Sequence, residues 1–335
     1  MPRHARIDAP GAVHHIIVRG IERKKIFKDD ADRDWFLERL GVILGDTNTT
    51  CLAWALVPNH FHLLLRSGTM SISSVMRRLL TGYAIHFNQR YRRSGHLFQN
   101  RYKSILCQEN TYLLELVRYI HLNPLRAKLV PGYNALENHP FSGHSAILGK
   151  VAREWQDTQS VLSLYGTNVK SARSQYSQYV QDGIAVGRRS DLTGGGLIRS
   201  LGGWQAVREL RNGKAYQKGD ERILGDGAFV EKTLQESEEQ MGKRLVLKAQ
   251  GMDFNKVMER VAALLEISAS DVMLKGKKRQ TVTARSLLCF WASAELGMSQ
   301  ASLARRLELS QAAVSAAVER GRKVAIESSY ALLSE

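Results

Sequence analysis

Apolar and polar positions change rhythm repeatedly over the first 130 residues. AVHHIIVRG (12–20) is a short apolar run closed by a glycine and predicts a strand. DADRDWFLERLGVILG (30–45) spaces its apolar residues at helical intervals behind an acidic first turn. CLAWALV (51–57) and HFHLLLRSG (60–68) predict two strands hinged at Pro58-Asn59. SISSVMRRLLTGYAIHFNQRY (71–91) sets Val75, Leu79, Tyr83 and Phe87 at helical spacing. HLFQNRYKSILC (96–107) predicts another strand, and TYLLELVRYIHLN (111–123) a helix that stops at Pro124. The order β-α-β-β-α-β-α predicts an α+β unit, a compact antiparallel sheet with helices on one face.

Beyond it the rhythm weakens. Residues 133–163 hold turn-like pieces, including NHPFSGHSAILGK, before a helix expected around 169–183. TGGGLIRSLGGW (193–204) concentrates five glycines. It lacks the GK[ST] ending of a phosphate-cradling loop and follows no strand, so a hinge or tight turn is expected. FNKVMERVAALLEI, TARSLLCFWASAELG, SQASLARRLEL and SQAAVSAAVERGRKV make the end of the chain all-helical. The last two are joined at Leu309-Ser310 with the rhythm of a helix-turn-helix: Ala304 faces the turn, and Leu309 and Val314 anchor the core. Three regions follow: 1–145, a connecting and mostly helical 146–250, and a helical 251–335.

Charge narrows the partners. Forty-eight Lys and Arg against 32 Asp and Glu leave a formal charge of +16, which favours polyanions. A membrane is the weaker choice, because no apolar run reaches spanning length and MPRHARIDAPG lacks a hydrophobic signal core. Cys51, Cys107 and Cys289 are odd in number and far apart, and read as buried small hydrophobes of a reducing compartment.

Candidate chemistry gathers in the first region. His60 and His62 share one face of a strand about 7 Å apart, a span that suits one divalent ion. A strand edge with two half-exposed histidines fits that stretch equally well. From Thr47 to Gln108 there is no acidic residue, while Arg66, Arg77, Arg78, Arg90, Arg92, Arg93, Arg101 and Lys103 fall within it. Tyr83, Phe87, Tyr91, Phe98 and Tyr102 are interleaved, a combination suited to single-stranded nucleic acid. Lys275, Lys277, Lys278, Arg279 and Arg285 supply a second basic stretch ahead of the helix-turn-helix. In RYIHLNP (118–124), Tyr119 and Asn123 are four apart on one helical face. Asn123 can offer an amide oxygen to a metal and Tyr119 a phenol to the same phosphate; helix packing with a C-terminal cap reads as well there. Tyr112, two turns earlier, and Tyr83 are rival nucleophiles. One of His14 and His15 is expected on the site's face, as core or as a phosphate contact.

PNHFHLLL, GHLFQNRYKS and YIHLNPLRA, in this order, resemble the single-tyrosine, His-hydrophobic-His transposases of small insertion sequences, and most closely the REP-associated tyrosine transposases. The resemblance covers residues 5–145 and continues weakly through GDERILGDGAFVEKTL (219–234). It implies a ferredoxin-like catalytic domain, a Mg²⁺ or Mn²⁺ ion, and cleavage of single-stranded DNA beside a hairpin through a 5′-phosphotyrosine. His60 and His62 match the metal ligands and Tyr119 the nucleophile. Asn123 stands where many relatives have Gln, a departure that leaves metal preference open. The C-terminal helices resemble, more loosely, the DNA-binding domain of bacterial replication initiators, which implies duplex binding. A bacterial cytoplasmic, nucleoid-associated strand transferase is expected, as monomer or dimer. A DNA-binding regulator with a vestigial nuclease centre is the alternative; an RNA-binding protein gives no reason for His60, His62 and Tyr119 to coexist.

Overall fold

The computed structural model describes residues 7, 11–68, 70–187, 189, 192, 220, 222–274, 276 and 278–333. The glycine-rich 193–204 stretch, Lys275 and Lys277 lie outside them. The chain divides into two units, Met1–Thr233 and Leu234–Glu335. No helix among the described residues is long and apolar enough to cross a membrane.

In the first unit, β1 (Val13–Arg19), β2 (Thr50–Val57), β3 (His60–Arg66) and β4 (Lys103–Cys107) pair antiparallel in the order β2-β3-β1-β4. With helices α1 (Asp30–Thr47) and α2 (Ile72–Arg90) this is the ferredoxin-like β-α-β-β-α-β arrangement. A two-residue strand, β5 (Ile223–Leu224), adds parallel to β4 and makes the sheet mixed. Asp29 caps α1 by accepting from the Asp32 amide, and Asn48 ends it at φ 48°. Ser71 caps α2 in the same way through Ser74.

The predicted single helical layer is half of what covers the sheet. Ile16, Val18, Phe61, Leu63 and Leu65 point into one core with Phe36 and Leu40 of α1 and Leu79 and Tyr83 of α2. Val13, Leu64 and Ile105 point the other way, under α3 (Glu109–His121). Burial on both faces explains the unbroken apolar run 51–57. The predicted strand 96–107 forms only over Lys103–Cys107: Phe98 makes an isolated bridge to Gly20, and residues 99–102 leave the ladder.

α3 ends at His121, ahead of Pro124 as the sequence predicts. A separate turn, α4 (Asn123–Arg126), follows with Pro124 in its first turn, where a missing N–H is tolerated. Short helices α5 (Tyr133–Glu137), α6 (Gly143–Ile147) and α7 (Thr158–Leu162), and the longer α8 (Val169–Asp182), follow. Leu136, Ile147, Val161, Tyr176 and Val180 of these elements join the core beneath α3. Tyr176 also links them by hydrogen bonds: its hydroxyl lies 2.7 Å from His121 Nδ1 and 2.7 Å from His144 Nδ1. All three side chains are buried.

The unit boundary falls within α9 (Gly227–Ala249). The second unit packs α10 (Phe254–Leu264), α11 (Ala269–Met273), α12 (Arg279–Ala294), α13 (Gln300–Leu307) and α14 (Gln311–Glu327) around Val257, Leu287, Trp291, Leu303 and Val314. Glu308 ends α13 at φ 51°, and Ser310 caps α14. Three residues thus turn one helix into the next. Ala304 and Val314 are buried at that turn and Leu309 packs against the same core. Gly321 lets α14 approach α12 closely, since a Cβ there would stand 1.9 Å from the Ser286 carbonyl oxygen.

Candidate active site

Register builds the site. On β3, His60, His62 and Leu64 face the α3 side, and their partners on β1 are Arg19, Ile17 and His15. On the far side of β1, Lys103 pairs with Ile17 and Ile105 with His15. The two histidines therefore stand at one end of a face whose other end is apolar core. Their ring centroids are 5.3 Å apart. The last turn of α3 brings Tyr119 against His62, its ring 5.7 Å from that imidazole and 6.0 Å from His15.

Each imidazole is held from behind. His60 Nδ1 lies 2.7 Å from Asn59 Oδ1, and the Asn59 amide nitrogen donates to the Arg23 carbonyl at 3.2 Å. That second bond fixes which end of the amide is oxygen, so His60 Nδ1 must be the donor and Nε2 keeps its lone pair. His62 Nδ1 lies 3.0 Å from His15 Nε2. Burial, then the nearby Arg19 charge, lowers the His60 pKa to about 4. His62 is held well below the usual range by burial and by His15, His60 and Arg19. Both rings are neutral at pH 7, the state a metal ligand requires.

Asn123 shares no hydrogen bond with either histidine among the described residues. Its amide nitrogen donates to the Tyr119 carbonyl at 2.9 Å and the Ile120 carbonyl at 3.3 Å. Pro124 lacks the N–H that Ile120 would otherwise receive, so the Asn123 side chain caps a break in the helix. Its Oδ1 accepts no hydrogen bond among the described residues. Nor do three His, Cys, Asp or Glu side chains converge there as a metal set. What the chain offers is two neutral imidazoles and one amide oxygen, a donor set that fits a hard divalent ion completed by phosphate oxygens and water.

The rivals of Tyr119 lie elsewhere. Tyr83 is in the opposite core and donates to the Ile26 carbonyl at 2.6 Å. Tyr112 is buried in the core beneath α3. Sequence reasoning missed Asn59 and Arg126, whose guanidinium carbon lies 5.4 Å from the Tyr119 ring centroid. Arg126 follows Tyr119 by seven residues, two turns on, which was a usable signal.

The acid-free stretch is less uncompensated than its sequence implies. Acidic residues on either side of it fold back: Arg66 pairs with Glu109, Arg78 with Asp46, and Arg90 with Asp29 and Asp32. Arg93 is spent on Asn88 and the His96 carbonyl. Arg77, Arg92, Arg101 and Lys103 are exposed. In the second unit Lys278 and Arg279 are exposed, while Arg285 donates to the Leu274 and Gly276 carbonyls at 3.0 and 2.7 Å and so braces the preceding loop.

No curated protein matches the sequence. A solved structure described as the REP-associated tyrosine transposase bound to a REP hairpin is similar over 47% of this chain and 94% of its own, at 18% identity and a TM-score of 0.37. The family described as "Transposase IS200 like" matches residues 10–123, a span that holds β1 to α3, the histidine pair, Tyr119 and Asn123. Residues 10–123 thus carry a likeness to the IS200-like transposases.

Proposed function

We propose that the first unit cleaves and rejoins single-stranded DNA beside hairpin-forming repeats, with Tyr119 as nucleophile and a divalent ion, Mg²⁺ or Mn²⁺, held by His60, His62 and Asn123. The observation that carries the reading is the Tyr119 ring packed against His62, one of two neighbouring neutral imidazoles. The Tyr119 oxygen attacks a phosphodiester phosphorus. The bond to the 3′ oxygen breaks, that oxygen leaves as a hydroxyl, and the 5′-phosphate stays on the tyrosine. The ion, when bound, polarises the phosphate and offsets the charge that develops on it. Because the phosphotyrosine retains a phosphodiester, a second 3′-hydroxyl reverses the step and joins strands without a nucleotide cofactor. The Arg126 guanidinium supplies further positive charge beside the tyrosine.

Within the acid-free stretch, exposed Arg77, Arg92, Arg101 and Lys103 are the cations offered to phosphates, while Arg66, Arg78 and Arg93 serve mainly to hold the fold. The α13–α14 turn supports duplex binding by the second unit, with Lys278 and Arg279 on backbone phosphates. In a DNA-binding regulator with a vestigial centre, nothing would need His60 fixed in one tautomer by Asn59.

The test uses a palindromic single strand labelled at either end and incubated with Mn²⁺. A protein-linked product on the 3′-side fragment is expected, unchanged in Tyr112→Phe and absent in Tyr119→Phe. Tight binding with no cut strand would favour the regulator; a product lost only in Tyr112→Phe would move the nucleophile.

A further inference from the structure

Position 15 is an odd place for an imidazole. It lies in the middle of β1, between Leu64 on one side and Ile105 on the other, in a part of the sheet otherwise given to apolar side chains. His15 is 0% exposed there. An apolar residue would fill the position without the cost of burying a polar ring. What the histidine gains is His62: the rings stack at 5.2 Å with 27° between planes, and His15 Nε2 lies 3.0 Å from His62 Nδ1.

Two imidazole nitrogens at that distance share one proton, and its place decides what His62 can do. With the proton on His62 Nδ1, His15 Nε2 accepts, and His62 Nε2 carries a lone pair. With the proton on His15 Nε2, His62 must be protonated at Nε2 to stay neutral, and it cannot ligate there. His60 is already in the first state, because its Nδ1 faces an oxygen that can only accept. A shared ion needs the same state at both rings.

We infer that His15 is a positioning residue that accepts the His62 Nδ1 proton and so presents His62 Nε2 as the partner of His60 Nε2. The inference rests on the metal-site reading above. It assigns to His15 a role different from core packing or a phosphate contact. Asn59 does for His60 what His15 does for His62, although one is an amide in the hairpin turn and the other an imidazole on the neighbouring strand. Ligands held this way typically lose 10–100-fold in metal affinity when the outer partner is removed.

Two measurements on the full chain test it. In the metal-free protein, ¹⁵N shifts of His62 should report protonated Nδ1 and bare Nε2; the reverse tautomer overturns the inference without any substitution. Mn²⁺ binding is then followed by the loss of the free-ion EPR signal, with thermal unfolding as the check on folding. His15→Leu and the bulkier His15→Phe should weaken Mn²⁺ by roughly 10–100-fold. His15→Gln, whose Oε1 can accept the same proton, should stay close to the parent. Parent-like binding in His15→Leu or His15→Phe, with loss in His60→Ala and His62→Ala, sinks the role of His15 alone. Equal loss in His15→Gln and in a folded His15→Leu or His15→Phe also sinks it, since the acceptor is then not what matters. Parent-like binding in His60→Ala and His62→Ala removes the metal site itself, and the inference with it.

Discussion

Tyr176 serves two imidazoles with one hydroxyl. A phenol has a single proton, so it donates to one of His121 and His144 and accepts from the other; both Nδ1 atoms are 2.7 Å away. Tyr176→Phe leaves two buried ring nitrogens without that partner, and a cost of about 1–3 kcal/mol for each stranded group is expected. Urea unfolding of the variant measures it; a change within a few tenths of a kcal/mol would mean that other groups take over the bonds. Burial also lowers the pKa of His14 and His144 to about 4. Their folded pKa values lie below the unfolded value, so the unfolded chain binds protons first as pH falls. The stability they confer is full above about pH 6.5 and drains between there and pH 4, by about 1.4 kcal/mol per unit for each group.

Among the elements, the strands and the long helices were legible because hydrophobic period is a property of local sequence. β1, β2, β3, α1 and α2 fall within two residues of their predicted ends. The shortened β4 was not legible, since Phe98 bridges Gly20 and the Gln99 amide donates to the Arg19 carbonyl, pairings that the fold supplies and local sequence does not show. The sequence proposes His60, His62, Tyr119 and Asn123 as a set, and the fold brings the Tyr119 ring against His62. His15 could not be singled out there: alternation puts one of two adjacent histidines on the site's face, and only the register with β3 says which. The ion pairs of Arg66, Arg78 and Arg90 were hidden for a like reason, because their acids lie just outside the acid-free stretch and arrive through the fold. In the second unit, Gly321→Ala tests how tightly α12 and α14 are packed. The added methyl must push against backbone, and overpacking should cost about 1–3 kcal/mol. A parent-like melting temperature would show that α14 can shift to make room.

Over the whole molecule the histidines are unevenly spread. All ten lie within the first 144 residues, and the second unit has none. Acidification from pH 6.5 to 5 should therefore weaken the two units unequally. Hydrogen exchange resolved by peptide, corrected for the intrinsic pH dependence, should show protection falling in β1, β2 and β3 while α10, α12 and α14 hold. A parallel fall in both would mean that carboxylates, not histidines, set the acid response.

The placement of Tyr119 also has a mechanical side. In the proposed reaction the cut strand hangs from a helix, so any tension on the DNA is delivered to the last turn of α3. That turn is seated through Leu116, Val117 and Ile120 in the core. Asn123 ties down its Tyr119 and Ile120 carbonyls, and Tyr176 fastens His121 to α6 and α8. Force directed along the helix must shear this packed surface as a whole and cannot peel it residue by residue. Elements well outside the matched family span would thus set how hard a covalently held strand can be pulled before the catalytic unit gives way.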